Sequence, residues 1–107
     1  MAWAWLANWF RRRSVTLDQL RITLYTREGC HLCDAAWELL QRQRRRYGFH
    51  LSLVDIDRDP QLATLYDESV PVVTVNGKVR FRGPINKVLL DRLLFAEARA
   101  ARQRRGL

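Results

Sequence analysis

Hydrophobic and polar positions alternate first over residues 21–25. In this stretch, "RITLY", a basic residue is followed by apolar, polar, apolar and aromatic ones, and the β-branched side chains favour a strand. After Gly29 the period changes. Leu32, Ala36, Leu39 and Leu40 recur at i, i+4, i+7 and i+8, and with Gln43 to Tyr47 they predict an amphipathic helix that Gly48 is placed to stop. "LSLVDID", residues 51–57, predicts a second strand whose few polar interruptions point to cover on both faces. Asp59 as N-cap and Pro60 at the first helical position predict a short helix to about Tyr66. "VPVVTV" predicts a third strand, and Asn76-Gly77 marks a tight hairpin into "KVRFR". Gly83 and Pro84 break that strand and open a last helix, in which Ile85, Val88, Leu89 and Leu93 share a face. The order β-α-β-α-β-β-α predicts an α/β fold, a mixed central sheet with helices on both faces.

The first residues do not fit this order. "MAWAWLANWFRRR" is apolar first and basic afterwards, the reverse of a secretory signal. At helical spacing Trp3, Leu6 and Phe10 share a face, flanked by Trp5 and Trp9. The preferred reading is a short helix packed on the domain or on a second subunit. An interfacial membrane anchor and a tail added by an early start codon are the alternatives. The expected organisation is an N-terminal extension over 1–20, one domain over 21–101 and a basic tail over 102–107.

Composition narrows the classes. With 48% hydrophobic and 28% charged residues the 107-residue chain is globular, and no stretch approaches the ~20 apolar residues of a membrane span. Two cysteines do not make a stapled secreted scaffold, so a reducing, cytoplasmic location is expected. A net charge of +8 invites a nucleic-acid reading. However, Arg11–Arg13, Arg42 with Arg44–Arg46, and Arg99, Arg102, Arg104 and Arg105 fall near predicted helix C-termini, where cations complement the macrodipole. No specific nucleic-acid partner is expected.

Cys30 and Cys33 carry the chemistry. A structural zinc site needs four ligands, and beyond the cysteines only His31 and His50 are offered, neither in a second ligand pair. A Cys-x-x-Cys at a helix start instead lets two sulfurs approach bonding distance. Cys30 would face the positive end of the helix and its unpaired amides, which favour thiolate, as would charge from Arg27 or His31; Asp34 opposes them. Cys33, one turn in, would be shielded and act second. The plain alternatives are a buried structural pair, a solvated His31 and an exposed Arg27. Pro71 stands directly before a strand. A cis Val70–Pro71 bond would turn a sharp corner that could bring Val70's backbone beside the cysteines, and a trans proline at a strand's first residue is the alternative.

"YTREGCHLC", "VDIDRDP", "SVPVV" and "NGKVRFRG", in this order, resemble the glutaredoxin-like branch of the thioredoxin fold over roughly residues 21 to 98. The resemblance implies that Cys30 attacks, Cys33 resolves, and Pro71 is a cis-proline facing them, with the main chain at Val70 pairing with substrate like an added strand. The chain departs from the family where His31-Leu32 replaces Pro-Tyr between the cysteines. It departs again where Arg82-Gly83 and Pro84-Ile85-Asn86 stand at the places of the glutathione-holding Gly-Gly and acidic residue. Gly83 and the helix start are the remaining candidates to cradle a carboxylate, with Arg82, and Arg27 near the cysteines, adding charge. The expected function is thiol–disulfide oxidoreductase, acting on protein or glutathione disulfides. No resident cofactor is required, and glutathione is a candidate electron donor. A binding or redox-sensing module without turnover is the alternative, and a cluster of iron and sulfur shared between two chains is implied by the resemblance alone.

Overall fold

The computed structural model describes residues 16–106. Strand β1, Arg21–Thr26, sends Ile22 and Leu24 to one buried face and Tyr25 to the other. Helix α1, His31–Tyr47, is N-capped by Cys30 and buries Cys33, Ala36, Leu39, Leu40 and Gln43. Three arginines, Arg44 to Arg46, fill its last turn, and Gly48 closes it in the left-handed region with its N–H donating to Arg44 O at 2.7 Å. The chain continues through β2 (His50–Asp55), a single 3-10 turn (Ile56–Arg58), α2 (Pro60–Tyr66), β3 (Val72–Val75), β4 (Lys78–Arg82) and α3 (Lys87–Arg104). Asp59 caps α2 as the sequence predicts, its carboxylate accepting from Gln61 N with Pro60 following it. Asn76 and Gly77 both take positive φ, the requirement of the tight hairpin between β3 and β4.

The strands lie in the order β2-β1-β3-β4, with β1 and β2 parallel and β3 antiparallel to both β1 and β4. One face of the sheet, with Ile22, Leu24, Val73 and Val75, packs against Leu39 and Leu40 of α1 and Leu90, Leu93 and Leu94 of α3. The other face, with Tyr25 and Val72, packs against Ile56, Leu62 and Tyr66. This is the mixed sheet with helices on both faces that the pattern of periods predicts.

Four local expectations are corrected. The strand predicted over 51–57 ends at Asp55, because the Asp55 carboxylate accepts from Asp57 N and starts a 3-10 turn that buries Ile56 completely. That strand is also an edge rather than a doubly covered strand, and Leu53 is 51% exposed. Leu32 likewise stands at the surface beside Cys30 instead of on the buried stripe of α1. Helix α3 begins at Lys87, where the Asn86 side chain accepts from Leu89 N. This start leaves Ile85 before the helix and turns Leu90, Leu93, Leu94 and Ala101 inward, while Val88 and Leu89 face solvent.

The packed unit also reaches past both expected boundaries. Leu17 and Leu20 are buried in the core, and Leu17 N donates to Tyr47 O at 2.8 Å. At the other end α3 runs to Arg104, and Arg105 bonds Asp18 at 3.2 Å, so the stretch from 102 is not a detached tail. The readings of the Trp-rich segment and of Arg11–Arg13 fall outside the described residues. Among the described residues no helix is long and apolar enough to cross a membrane.

Candidate active site

Tyr25 at the end of β1 pairs with Val72 at the start of β3. The turn after β1, which carries Arg27 to Cys30, and the segment before β3, which carries Val70 and Pro71, therefore emerge at one end of the sheet. Gly29, at φ 76°, makes the turn from β1 into α1. Cys30 and Cys33 are joined in a disulfide across the first turn of α1, with Cα atoms 5.2 Å apart. The two sulfurs differ in access: Cys33 is 1% exposed, whereas Cys30 is only half-buried. Cys30 Sγ accepts from Cys33 N at 3.1 Å. After reduction the same amide, with the positive end of α1, would stabilise a thiolate on Cys30. Asp34 sits in the same first turn and acts against this effect.

The Val70–Pro71 bond is cis, and Pro71 is fully buried. The Pro71 carbonyl accepts from Gly83 N at 2.8 Å, and the Ser69 carbonyl accepts from the same N–H at 3.1 Å. The Gly83 amide is thus committed to the segment around the proline and is not free to cradle a carboxylate. Nor is Gly83 at a helix start, because the cap of α3 is Asn86, three residues later. Arg82 lies beside the segment with its guanidinium 5.8 Å from the Tyr66 ring centroid, and Tyr66 in turn packs on Tyr25 at 4.9 Å.

Arg27 has a role that neither sequence reading anticipated. Its Nε and Nη2 donate to the two oxygens of Asp57, each at 3.0 Å, and its Nη1 donates to the carboxylate and carbonyl of Asp67 at 3.2 and 3.3 Å. Hydrogen bonding from Arg27 holds the Asp57 carboxyl below the usual carboxylate range, and the two acids raise the guanidinium in return. One side chain thereby ties together the turn after β1, the turn after β2 and the turn before β3. Its charge is compensated, so it is a brace rather than a free cation beside Cys30. Asp57 and Asp67 lie 30 and 40 residues from Arg27, and no local motif pairs them.

Beside the dithiol a cleft of about 740 Å³ begins at Glu28 and Gly29 and runs along β2, over Leu53, Val54 and Leu62. A second cleft, of about 470 Å³, is lined by Thr16, Asp18, Asn76 and Arg105 at the opposite end of the sheet, away from the sulfurs.

Comparison with known proteins places this site in a family. Residues 21–95 match the model of the Glutaredoxin-like domain (DUF836). No curated protein matches the chain. An X-ray structure of a structural-genomics target from X. campestris is 35% identical, with a TM-score of 0.59 over 70% of this chain and 96% of that one. An NMR structure of a protein from Nitrosomonas europaea is 26% identical, with a TM-score of 0.61 over 69% and 89% of the two chains. A mutant thioredoxin from Halobacterium salinarum, 16% identical, shares the fold, with a TM-score of 0.58 over 78% and 88%. With its family model spanning β1 to the middle of α3 and its thioredoxin-like sheet, the chain belongs to the glutaredoxin-like domain family.

Proposed function

We propose that the protein is a thiol–disulfide oxidoreductase in which Cys30 is the nucleophile and Cys33 the resolving thiol. One observation carries the reading. The half-buried Cys30 sulfur, at the start of α1, is both bonded to the buried Cys33 and hydrogen-bonded by its amide. A sulfur in that position is reachable by a substrate and electrostatically suited to the thiolate form.

In the reducing direction the Cys30 thiolate attacks one sulfur of a substrate disulfide. A bond forms between Cys30 and that sulfur as the substrate's own S–S bond breaks, and the electron pair leaves on the departing thiolate, which takes a proton from water. Cys33, deprotonated in turn, attacks Cys30 Sγ and expels the second substrate thiolate, which closes the Cys30–Cys33 disulfide. Two electrons then return from a thiol reductant, either glutathione or a protein dithiol. Val70, before Pro71 and at the same end of the sheet, is the main-chain position proposed to pair with the substrate. Such a cycle suits a reducing compartment such as the cytoplasm.

The test separates the two thiols. Reduced Cys33→Ser should trap a mixed disulfide through Cys30, because the resolving step is missing, and Cys30→Ser should trap nothing. Iodoacetamide should label Cys30 in Cys33→Ser well below the free-thiol pKa of about 8.5. Adducts mapped by peptide mass spectrometry that fall on Cys33 first would reverse the assignment. Slow labelling of both thiols, with no disulfide reduced in a coupled assay, would remove the oxidoreductase reading.

A further inference from the structure

The whole chain carries a net charge of +8, yet the end of the sheet that holds the dithiol has the opposite balance. The turns and helix starts at that end hold seven of the chain's 11 carboxylates and four of its 19 cationic side chains, Arg27, Arg58, Arg82 and Lys87. Two of the four are already matched, Arg27 by Asp57 and Asp67 and Lys87 by Asp91. The cleft that begins next to Cys30 reproduces this imbalance. Glu28, Asp34, Asp55 and Asp59 line it, and Arg58 is its one cation besides the braced Arg27. Asp55 and Asp59 each use one oxygen on a backbone amide, which leaves the other oxygen for a visitor. Between these acids the lining is apolar, with Leu53 half-exposed on the open edge strand and Leu62 behind it.

We infer that this cleft takes a cationic stretch of polypeptide flanking the target cysteine, so that the dithiol acts on basic protein disulfides in preference to glutathione disulfide. The inference rests on the oxidoreductase reading and names its substrate class. Lysine or arginine side chains would meet the four carboxylates, while the aliphatic parts of the same segment cover Leu53 and Leu62. Glutathione presents the opposite chemistry, because each molecule carries two carboxylates and one ammonium. Two of the groups that would have received those carboxylates are committed elsewhere, Arg27 to its two acids and the Gly83 amide to the Pro71 and Ser69 carbonyls, and the third, Arg82, lies over the Tyr66 ring outside this cleft. An anionic substrate therefore approaches uncompensated negative charge, and a cationic one is drawn to it.

The experiment uses full-length protein reduced beforehand with dithiothreitol and freed of it. Its dithiol supplies the two electrons that convert each substrate disulfide to two thiols. The probes are three symmetrical peptide disulfides whose cysteine is flanked by Lys, by Gln or by Glu, together with glutathione disulfide. Each rate is divided by the rate of dithiothreitol with the same probe, which removes differences in the peptides' own thiol chemistry. The Lys peptide should react on the order of tenfold faster than the Glu peptide at low salt, with glutathione disulfide grouped with the latter. The ratio should shrink at roughly 0.5 M salt, and it should narrow in a Glu28→Lys/Asp34→Lys variant shown by circular dichroism to be folded. Equal normalised rates, or a faster Glu peptide, would overturn the inference and leave the oxidoreductase reading standing. Failure to reduce any of the four probes would overturn that reading, and the inference with it.

Discussion

At the scale of single residues, Arg27 shows how the site end is held. An exposed ion pair usually contributes little, because solvent screens it and ordering two long side chains costs entropy. Here the guanidinium meets one carboxylate with both oxygens and a second from another turn, a planar fork that fixes direction as well as distance. Its linkage to pH has a definite sign. Arg27 holds the Asp57 carboxyl below its ordinary value of 3.8 in the folded protein. The pair therefore stabilises the fold fully above that value, and the contribution is lost as pH falls through the lower folded-state value. Replacing Arg27→Ala should lower the urea midpoint at neutral pH, and the two proteins should converge as the pH is taken from about 6 to 2. A constant gap across that range would show that Arg27 acts through packing rather than through Asp57.

Elements were legible where a residue's own backbone preference decides the structure. Asp59-Pro60 starts α2 and Asn76-Gly77 turns the hairpin because those side chains permit few alternatives. Gly48 stops α1 for the same reason, at φ 75°. A Cβ there would also stand 2.7 Å from Thr16 Cγ2, where the incoming chain crosses the end of the helix. Gly48→Ala should therefore cost on the order of 1–2 kcal/mol for the left-handed backbone, plus whatever Thr16 needs to move. Gly77→Ala, at φ 84° with open space around its Cβ, incurs the backbone part alone. Chemical denaturation of both variants isolates the contact, and equal losses would mean that Thr16 yields freely. Where tertiary partners decide, the sequence was a weaker guide. An apolar run gave β2 cover on two faces, but strand order leaves it at an edge. The start of α3 is a local matter instead: Pro84 points to an early start, whereas the Asn86 side chain caps the helix two residues later and rotates a different set of leucines inward. At the site, the two cysteines and Pro71 could be read from spacing and from resemblance. The Arg27 brace could not, because it joins segments that are distant in sequence, nor could the commitment of the Gly83 amide, which extends the hairpin past the register shift at Val73 and Thr74.

The whole molecule is organised as two cores on the two faces of one sheet, with different relations to the chemistry. The larger joins α1, α3 and the inner strand positions, and Gln43 of α1 bonds Asp91 of α3 across it at 3.0 Å. The smaller joins Ile56, Tyr66 and Val72, and its members are neighbours of the site by sequence: Ile56 precedes Asp57, Tyr66 precedes Asp67 and Val72 follows Pro71. Both Leu94 of the first core and Ile56 of the second are completely buried, so truncation of either to alanine should cost about 2–5 kcal/mol in unfolding free energy. Their effects on chemistry should differ. Leu94 lies two turns into α3, on the face that packs against α1 and the sheet, and its loss should leave the alkylation rate of Cys30 in the reduced, folded protein unchanged. Ile56→Ala loosens the turn that presents Asp57 to Arg27, and through that brace the turn leading to Cys30, so the rate should change there. Iodoacetamide labelling at fixed pH, under conditions where urea titration shows each variant more than nine-tenths folded, about 1.4 kcal/mol of residual stability, compares the two directly. A Leu94→Ala variant that shifts the rate as far as Ile56→Ala would mean that the cysteines respond to the stability of the whole fold, and that the smaller core has no separate hold on them.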